Sequence, residues 1–111
     1  MLQDYSYKSA RVVVVNGITT PVKHWLEIKK HVFNYLHEKN PVLASSDSLA
    51  LFAKKTDSMD IRLINGMYSR GIMSATDIVK QCRAAMKIAG YEPLKDLQVG
   101  YVESERKRKG L

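Results

Sequence analysis

The sequence predicts an α+β fold: a small, mostly antiparallel sheet with two β-hairpins, and two main helices packed on one face of it. Three observations carry this expectation. Two Asn-Gly dipeptides, Asn16-Gly17 and Asn65-Gly66, each follow a short apolar run, and this pair of residues accepts the positive φ angles of a two-residue hairpin turn. Two longer segments repeat apolar residues at helical spacing. The chain has 111 residues, 45% of them hydrophobic, which is enough for one core and not for two.

Arg11-Val12-Val13-Val14-Val15 is short and β-branched and reads as the first strand. Ile18-Thr19-Thr20 returns beyond the first Asn-Gly, and Pro21, with no N–H to donate, is expected to stop the ladder. The first helix is expected from about Lys23 to Lys39. Trp25, Ile28, Val32, Tyr35 and Leu36 form its apolar stripe, widened by Leu26 and Phe33, with Glu27, Lys30, Asn34 and Glu38 opposite. Asn40-Pro41 ends it.

The segment from Val42 to Asp60 reads as irregular. Within it Leu49 to Ala53 is too short for periodicity to decide between a helical turn and a short strand. Ile61 to Ile64 and Met67 to Arg70 flank the second Asn-Gly as the second hairpin. Ser74 is placed to cap the second helix through its hydroxyl, and Asp77 stands at the positive end of that helix. Ile78, Val79, Cys82, Ala85, Met86 and Ala89 make the inner face, and Gly90 with Pro93 ends it. Leu97 to Val102 is the last strand, with Leu97, Val99 and Tyr101 on one face. The predicted core is Val13, Val15, Trp25, Ile28, Val32, Leu36, Leu63, Ile78, Val79, Cys82, Met86, Leu97 and Val99. One domain over residues 1–102 is then followed by a basic tail over 103–111.

Two stretches carry a family resemblance: Val14-Val15-Asn16-Gly17-Ile18 through Trp25 to Pro41, and Asn65-Gly66-Met67-Tyr68 through Ser74 to Val102. Together they resemble a small α+β module of bacterial and phage proteins, often C-terminal to restriction or other DNA-processing domains. The shared features are turns, caps and core aromatics, so the resemblance implies a fold and a DNA-related setting rather than an activity. This chain departs from the pattern in two places: no good cap residue precedes Trp25, and a basic tail is added.

Charge is the main pointer to function. Lys and Arg total 18 against 11 Asp and Glu, a net charge of +7. Such a balance favours an acidic partner: nucleic acid, with DNA favoured, or an acidic protein surface. Lys80, Arg83 and Lys87 recur at i, i+3 and i+7 and so share a face of the second helix. Arg70 lies just ahead of it, with Lys54, Lys55 and Arg62 further back. Arg106, Lys107, Arg108 and Lys109 form a run in the tail. Arg70, Lys80, Arg83 and Lys87 with the tail run Arg106 to Lys109 are the candidate binding residues, suited to neutralising phosphates without reading bases. A charged stripe is equally what an ordinary solvated helix shows. Tyr5, Tyr7, Tyr68, Tyr91 and Tyr101 are candidates for stacking on bases, although Tyr68 and Tyr101 fall in strands and are expected to pack half buried.

Other classes find little support. The N-terminus lacks the charged and apolar regions of a signal peptide, Met1 reads as a native start, and the longest strongly apolar run is Val12 to Val15. A cytoplasmic, reducing location is expected, and no membrane association. His24 and His31 stand two helical turns apart, too far for one metal, so solvated histidines and a core Cys82 are expected, with no metal. No nucleophile–base motif and no glycine-rich phosphate loop occurs, so neither catalysis nor a cofactor is expected. The expected function is that of a non-catalytic nucleic-acid-binding accessory protein. The alternative is a small interaction module docking on an acidic surface of a larger protein.

Overall fold

The computed structural model describes residues 5, 8–39, 51–52, 55, 58–63, 68–71 and 73–103. Its elements in order are β1 (Lys8–Val15), β2 (Ile18–Pro21), α1 (Trp25–Lys39), β3 (Leu51–Phe52), β4 (Ile61–Arg62), β5 (Tyr68–Ser69), α2 (Ala75–Ile88) and β6 (Leu97–Glu103). The fold is α+β with antiparallel pairing throughout.

The first hairpin forms as its turn residues dictate. Val15 pairs with Ile18, and Asn16 and Gly17 take φ values of 49° and 82°, the two left-handed positions of a type I′ turn. The ladder ends at Pro21 as expected, with Pro21 itself included as the last residue of β2, opposite Val12. As β2 pairs with β1 alone, the missing Pro21 N–H leaves no partner unserved, and the Val22 N–H then bonds the Arg11 carbonyl at 2.9 Å.

The strands divide between two three-stranded sheets, β2-β1-β6 and β3-β5-β4, where a single sheet was expected. β1 is paired on both sides, by β2 and β6, so it offers no edge to the short strands. β1 begins at Lys8, three residues ahead of the predicted start at Arg11, because β6 continues far enough to pair Lys8 with Glu103. β4 and β5 are antiparallel neighbours; Asn65-Gly66 lies outside the described residues.

α1 starts at Trp25 rather than Lys23. With no short polar residue to cap it, the Glu27 carboxylate reaches back and accepts from the Lys23 N–H at 3.2 Å. α2 has both ends closed. Ser74 is extended and its hydroxyl accepts from the Asp77 N–H at 3.2 Å. Beyond the helix Gly90 sits at φ 93°. Its N–H bonds the Lys87 carbonyl, and the Tyr91 N–H bonds that of Met86, the paired bonds of a Schellman end.

Both helices and the inner residues of β1 and β6 build one core. Every predicted core residue is buried except Trp25 and Val99, which are half buried at its margin. Trp25 stays at the rim because its indole N–H needs an acceptor, the Lys8 carbonyl at 2.9 Å. Val99 lies on an edge strand. The core also takes in Tyr5, Ala10, Val22, Phe33 and Ala85, and three polar residues, Lys29, His37 and Ser69.

Candidate nucleic-acid or acidic-partner interface

α2 sets the geometry of the candidate site. Lys80 and Lys87 are exposed on it, as is Arg70 just after β5. Arg83, between the two lysines, is half buried, and its Nη1 donates to the carbonyls of Pro93 at 2.7 Å and Leu97 at 2.8 Å. The helical spacing places it correctly but says nothing of those carbonyls, which arrive from the turn into β6. Arg83 therefore braces that turn while its charge still adds to the face. Lys55 and Arg62 are exposed. Lys54 and the tail residues Arg106, Lys107, Arg108 and Lys109 lie outside the described residues.

Arg70 and Lys80 are brought together. With Met73, Asp77, Gln81 and Ala84 they line an open groove of about 460 Å³. Asp77, Lys80, Gln81 and Ala84 follow the i, i+3, i+4, i+7 pattern and share one face of α2. Arg70 and Met73 face them from the segment leading into the helix. The buried side-chain oxygen of Gln81, Oε1, has no hydrogen-bond partner. Lys87 stands outside this groove, further along α2.

Behind Met73 lies a residue that sequence reasoning missed. Lys29 is fully buried; its Nζ donates to the Arg70 carbonyl at 2.7 Å and meets the Met73 sulfur at 3.0 Å. Burial pulls this amine down from its ordinary 10.5 to about 8. The neighbouring Cys82 thiol, also buried, is pushed up from 9.0 to about 12. A signal was present, since position 29 belongs to the same inward repeat as 25, 28, 32, 33 and 36, but a lysine there reads as surface.

The expectation of solvated histidines holds for His24 alone. His31 is half buried, its Nε2 3.5 Å from the Thr20 hydroxyl. His37 is buried with Nδ1 unpartnered, because the last turns of α1 face the core. Cys82 is in the core as expected. Among the described residues no group of three or more His, Cys, Asp or Glu side chains is placed to hold a metal ion, and no helix is long and apolar enough to cross a membrane.

Of the tyrosines, Tyr5 is buried rather than displayed, its ring centroid 5.2 Å from that of Trp25 and 5.5 Å from that of Tyr101. Tyr91 packs beside Tyr35 at 6.3 Å, Tyr68 is half buried on β5 as expected, and Tyr101, expected to be half buried too, is exposed at 37% on the edge strand β6. Tyr7 lies outside the described residues. Compared with family models, curated proteins and solved structures, the chain gives no match.

Proposed function

We propose that this protein is a non-catalytic nucleic-acid-binding accessory protein that acts through the Arg70–Lys80–Lys87 side of α2 and the basic tail. One observation carries the reading: Arg70 and Lys80 come from separate elements and converge on one open groove, with Lys87 extending the positive surface along the helix. The net charge of +7 favours a polyanion over other partners, and the resemblance to a module of bacterial and phage DNA-processing proteins agrees with it. Arg83 contributes charge to this face rather than a mobile contact. A second reading, docking on an acidic surface of a larger protein, draws on the apolar share of the groove, Met73 and Ala84.

A salt titration of DNA binding tests the first reading. Each phosphate neutralised contributes about 0.9 to the slope of log affinity against log salt on duplex DNA, and about 0.7 on single strands. Arg70→Ala, Lys80→Ala and Lys87→Ala are each expected to lower affinity modestly on all sequences and to reduce that slope by about one such unit. A chain ending at Val102 with Arg70, Lys80 and Lys87 changed to Glu is expected to lose binding. If it bound DNA as well as the full chain, the electrostatic reading would be wrong. Nuclease-resistant capture of a defined acidic protein partner would favour the second.

A further inference from the structure

We infer that β6 is a dimerisation edge: it pairs antiparallel with β6 of a second copy about a two-fold axis at Gly100, joining two β2-β1-β6 sheets into one of six strands. This stands apart from the nucleic-acid reading and needs nothing from it. Among the described strands β6 (Leu97–Glu103) pairs with β1 alone, and β2 forms the other edge of the sheet. Edges left open to water are generally kept short, or carry Pro, Lys or a bulge. β2 follows that rule, with four residues and Pro21 at its end. β6 does not: it runs for seven residues with no Pro and no basic residue. The extra residue at the irregularity between Ala10 and Val12 is Arg11, on β1, so β6 itself is continuous. Its second half also exposes apolar surface, Tyr101 at 37% and Val102 at 44%.

Two hydrogen bonds set which backbone groups face outward. The Asp96 carbonyl accepts from the Asn16 N–H at 2.7 Å, toward β1. The next carbonyl, that of Leu97, accepts instead from Nη1 of Arg83 on α2 at 2.8 Å, so it faces away from β1. Alternation along the strand turns Val99, Tyr101 and Glu103 the same way as Leu97. Gly100 is the middle residue of the seven, so a second β6 laid antiparallel matches the whole strand to itself. Val99 then exchanges hydrogen bonds with the partner's Tyr101, a β-branched residue opposite an aromatic one. Gly100 meets its own copy at a pair whose Cα atoms approach to about 4.5 Å. A residue without a side chain suits that place, and the Val12 side chain already takes the space that a Cβ on Gly100 would fill. Leu97 comes opposite the partner's Glu103, whose carboxylate arrives on the α2 side of the sheet, beside the Arg83 guanidinium. Each of these matches recurs on both sides of the axis, as a two-fold interface requires, which is why the occupant is a second copy and not an unrelated strand.

Mixing two single variants of the nuclease-treated full chain tests this. Gln98 lies opposite the partner's Val102 across the seam, both are exposed, and Cα atoms so paired are within disulfide reach. With oxidised glutathione, Gln98→Cys and Val102→Cys are expected to cross-link to each other about tenfold or more faster than either does to itself, because each lies four strand residues, roughly 13 Å, from its own copy. Cys82 is buried and does not compete. Light scattering of the unaltered chain is expected to give twice the 12.6 kDa of one chain. Association is expected to strengthen with salt, which screens the +7 carried by each copy, whereas nucleic-acid binding weakens with salt. Val99→Pro removes an N–H that faces away from β1 and is expected to weaken association about tenfold or more. Gln98→Lys combined with Val102→Lys sets like charges opposite each other at exposed positions and is expected to do the same; this pair guards against a folding defect in the proline variant. A chain that stays monomeric, or associates only before nuclease treatment, overturns the inference. So does self-cross-linking of either cysteine variant as fast as the mixed pair, or association that survives both the proline and the lysine variants.

Discussion

The ammonium nitrogen of Lys29 lies 2.7 Å from the backbone carbonyl oxygen of Arg70, inside the protein, while Arg70 itself is exposed at the groove. One residue thus faces both ways. Its carbonyl is tied to α1 from within, and its side chain belongs to the candidate binding surface. Lys29 also touches the Met73 sulfur, so a single buried amine holds two of the residues that form the groove wall opposite α2.

That amine makes stability depend on pH in a definite direction. Lys29 is held at about 8 in the folded chain against an ordinary 10.5, so between those values the unfolded chain binds the extra proton and stability rises with pH. The contribution is complete above 10.5 and lost as pH falls through about 8. Cys82 runs the other way: raised from 9.0 to about 12, its contribution is complete below 9.0 and lost as pH rises through about 12. Together they predict a rise from pH 8 to 9, a level stretch to 10.5 and a fall beyond it. The rise stays below the limit of about 1.4 kcal/mol per pH unit that a full proton difference would give, because each group is only half titrated at one end of the interval. Urea midpoints measured across this range check it. Cys82→Ala is expected to prolong the rise to 10.5, and Lys29→Met to abolish it. A profile that Lys29→Met leaves unchanged would show that the amine is not held neutral by burial.

Arg83 separates bracing from binding on one helix face. Its Nη1 bridges the Pro93 and Leu97 carbonyls at 2.7 and 2.8 Å, and charge-assisted bonds of this kind are worth about 1.5–3 kcal/mol. Arg83→Met is expected to cost about that much in chemical denaturation. Lys80→Met and Lys87→Met, at exposed positions, are expected to stay within about 0.5 kcal/mol of the parent. A lysine at position 83 keeps the charge but not the planar fork, and is expected to recover only part of the loss. Equal stability of all three methionine variants would remove the bracing role.

Elements with a local cause were legible from the residues alone. Ser74, Asp77 and Gly90 close α2 as their chemistry dictates, Asn16-Gly17 sets its turn, and the Val12–Val15 run forms a strand. What depends on distant partners was not. β1 extends to Lys8 because Glu103 pairs with it, and β3 is two residues long and exists through β5. Arg83 has the right spacing for a surface cation, yet its carbonyl partners come from the chain beyond α2. Lys29 was concealed by its residue type, since its position in the repeat already faces the core. The groove joins α2 to residues ahead of it, and no spacing along the chain announces it.

Gly71 is expected to be the glycine least tolerant of change. It is buried, and a Cβ built on it would fall on the backbone carbonyl oxygen of Met59. A backbone atom cannot rotate aside as a side chain can, so Gly71→Ala must displace one of two packed segments. About 3 kcal/mol or more is expected, at the upper end of overpacking costs. Gly17→Ala meets open space and bears only the strain of its φ of 82°, about 1–2 kcal/mol. Because Gly71 sits between Arg70 and Met73, the substitution is also expected to weaken binding at the groove. Thermal unfolding of the two alanine variants orders them, and the reverse order would contradict the close approach.

The aromatic cluster at the margin of the core gives the last prediction. Tyr5 is 5% exposed, and its ring lies 5.2 Å from that of Trp25 at an interplanar angle of 56°. The Tyr5 backbone N–H donates to the Thr76 hydroxyl at 2.9 Å, so this residue is tied to α2. Trp25 is half buried, so its truncation to alanine is expected to cost about 2–3 kcal/mol rather than the 3–5 of a fully enclosed ring. Part of that loss is the bond from the indole to the Lys8 carbonyl, which Trp25→Phe removes on its own for about 1 kcal/mol. A double-mutant cycle with Tyr5→Leu and Trp25→Leu isolates the ring pair, and a coupling of about 0.5–1.5 kcal/mol is expected for tilted rings at this separation. Trp25 is the chain's one tryptophan, so its emission reports the same contact: Tyr5→Leu is expected to admit water and shift it to the red. Zero coupling with unchanged emission would mean that Tyr5 covers the core without bearing on Trp25, its tie to α2 resting on the bond to Thr76.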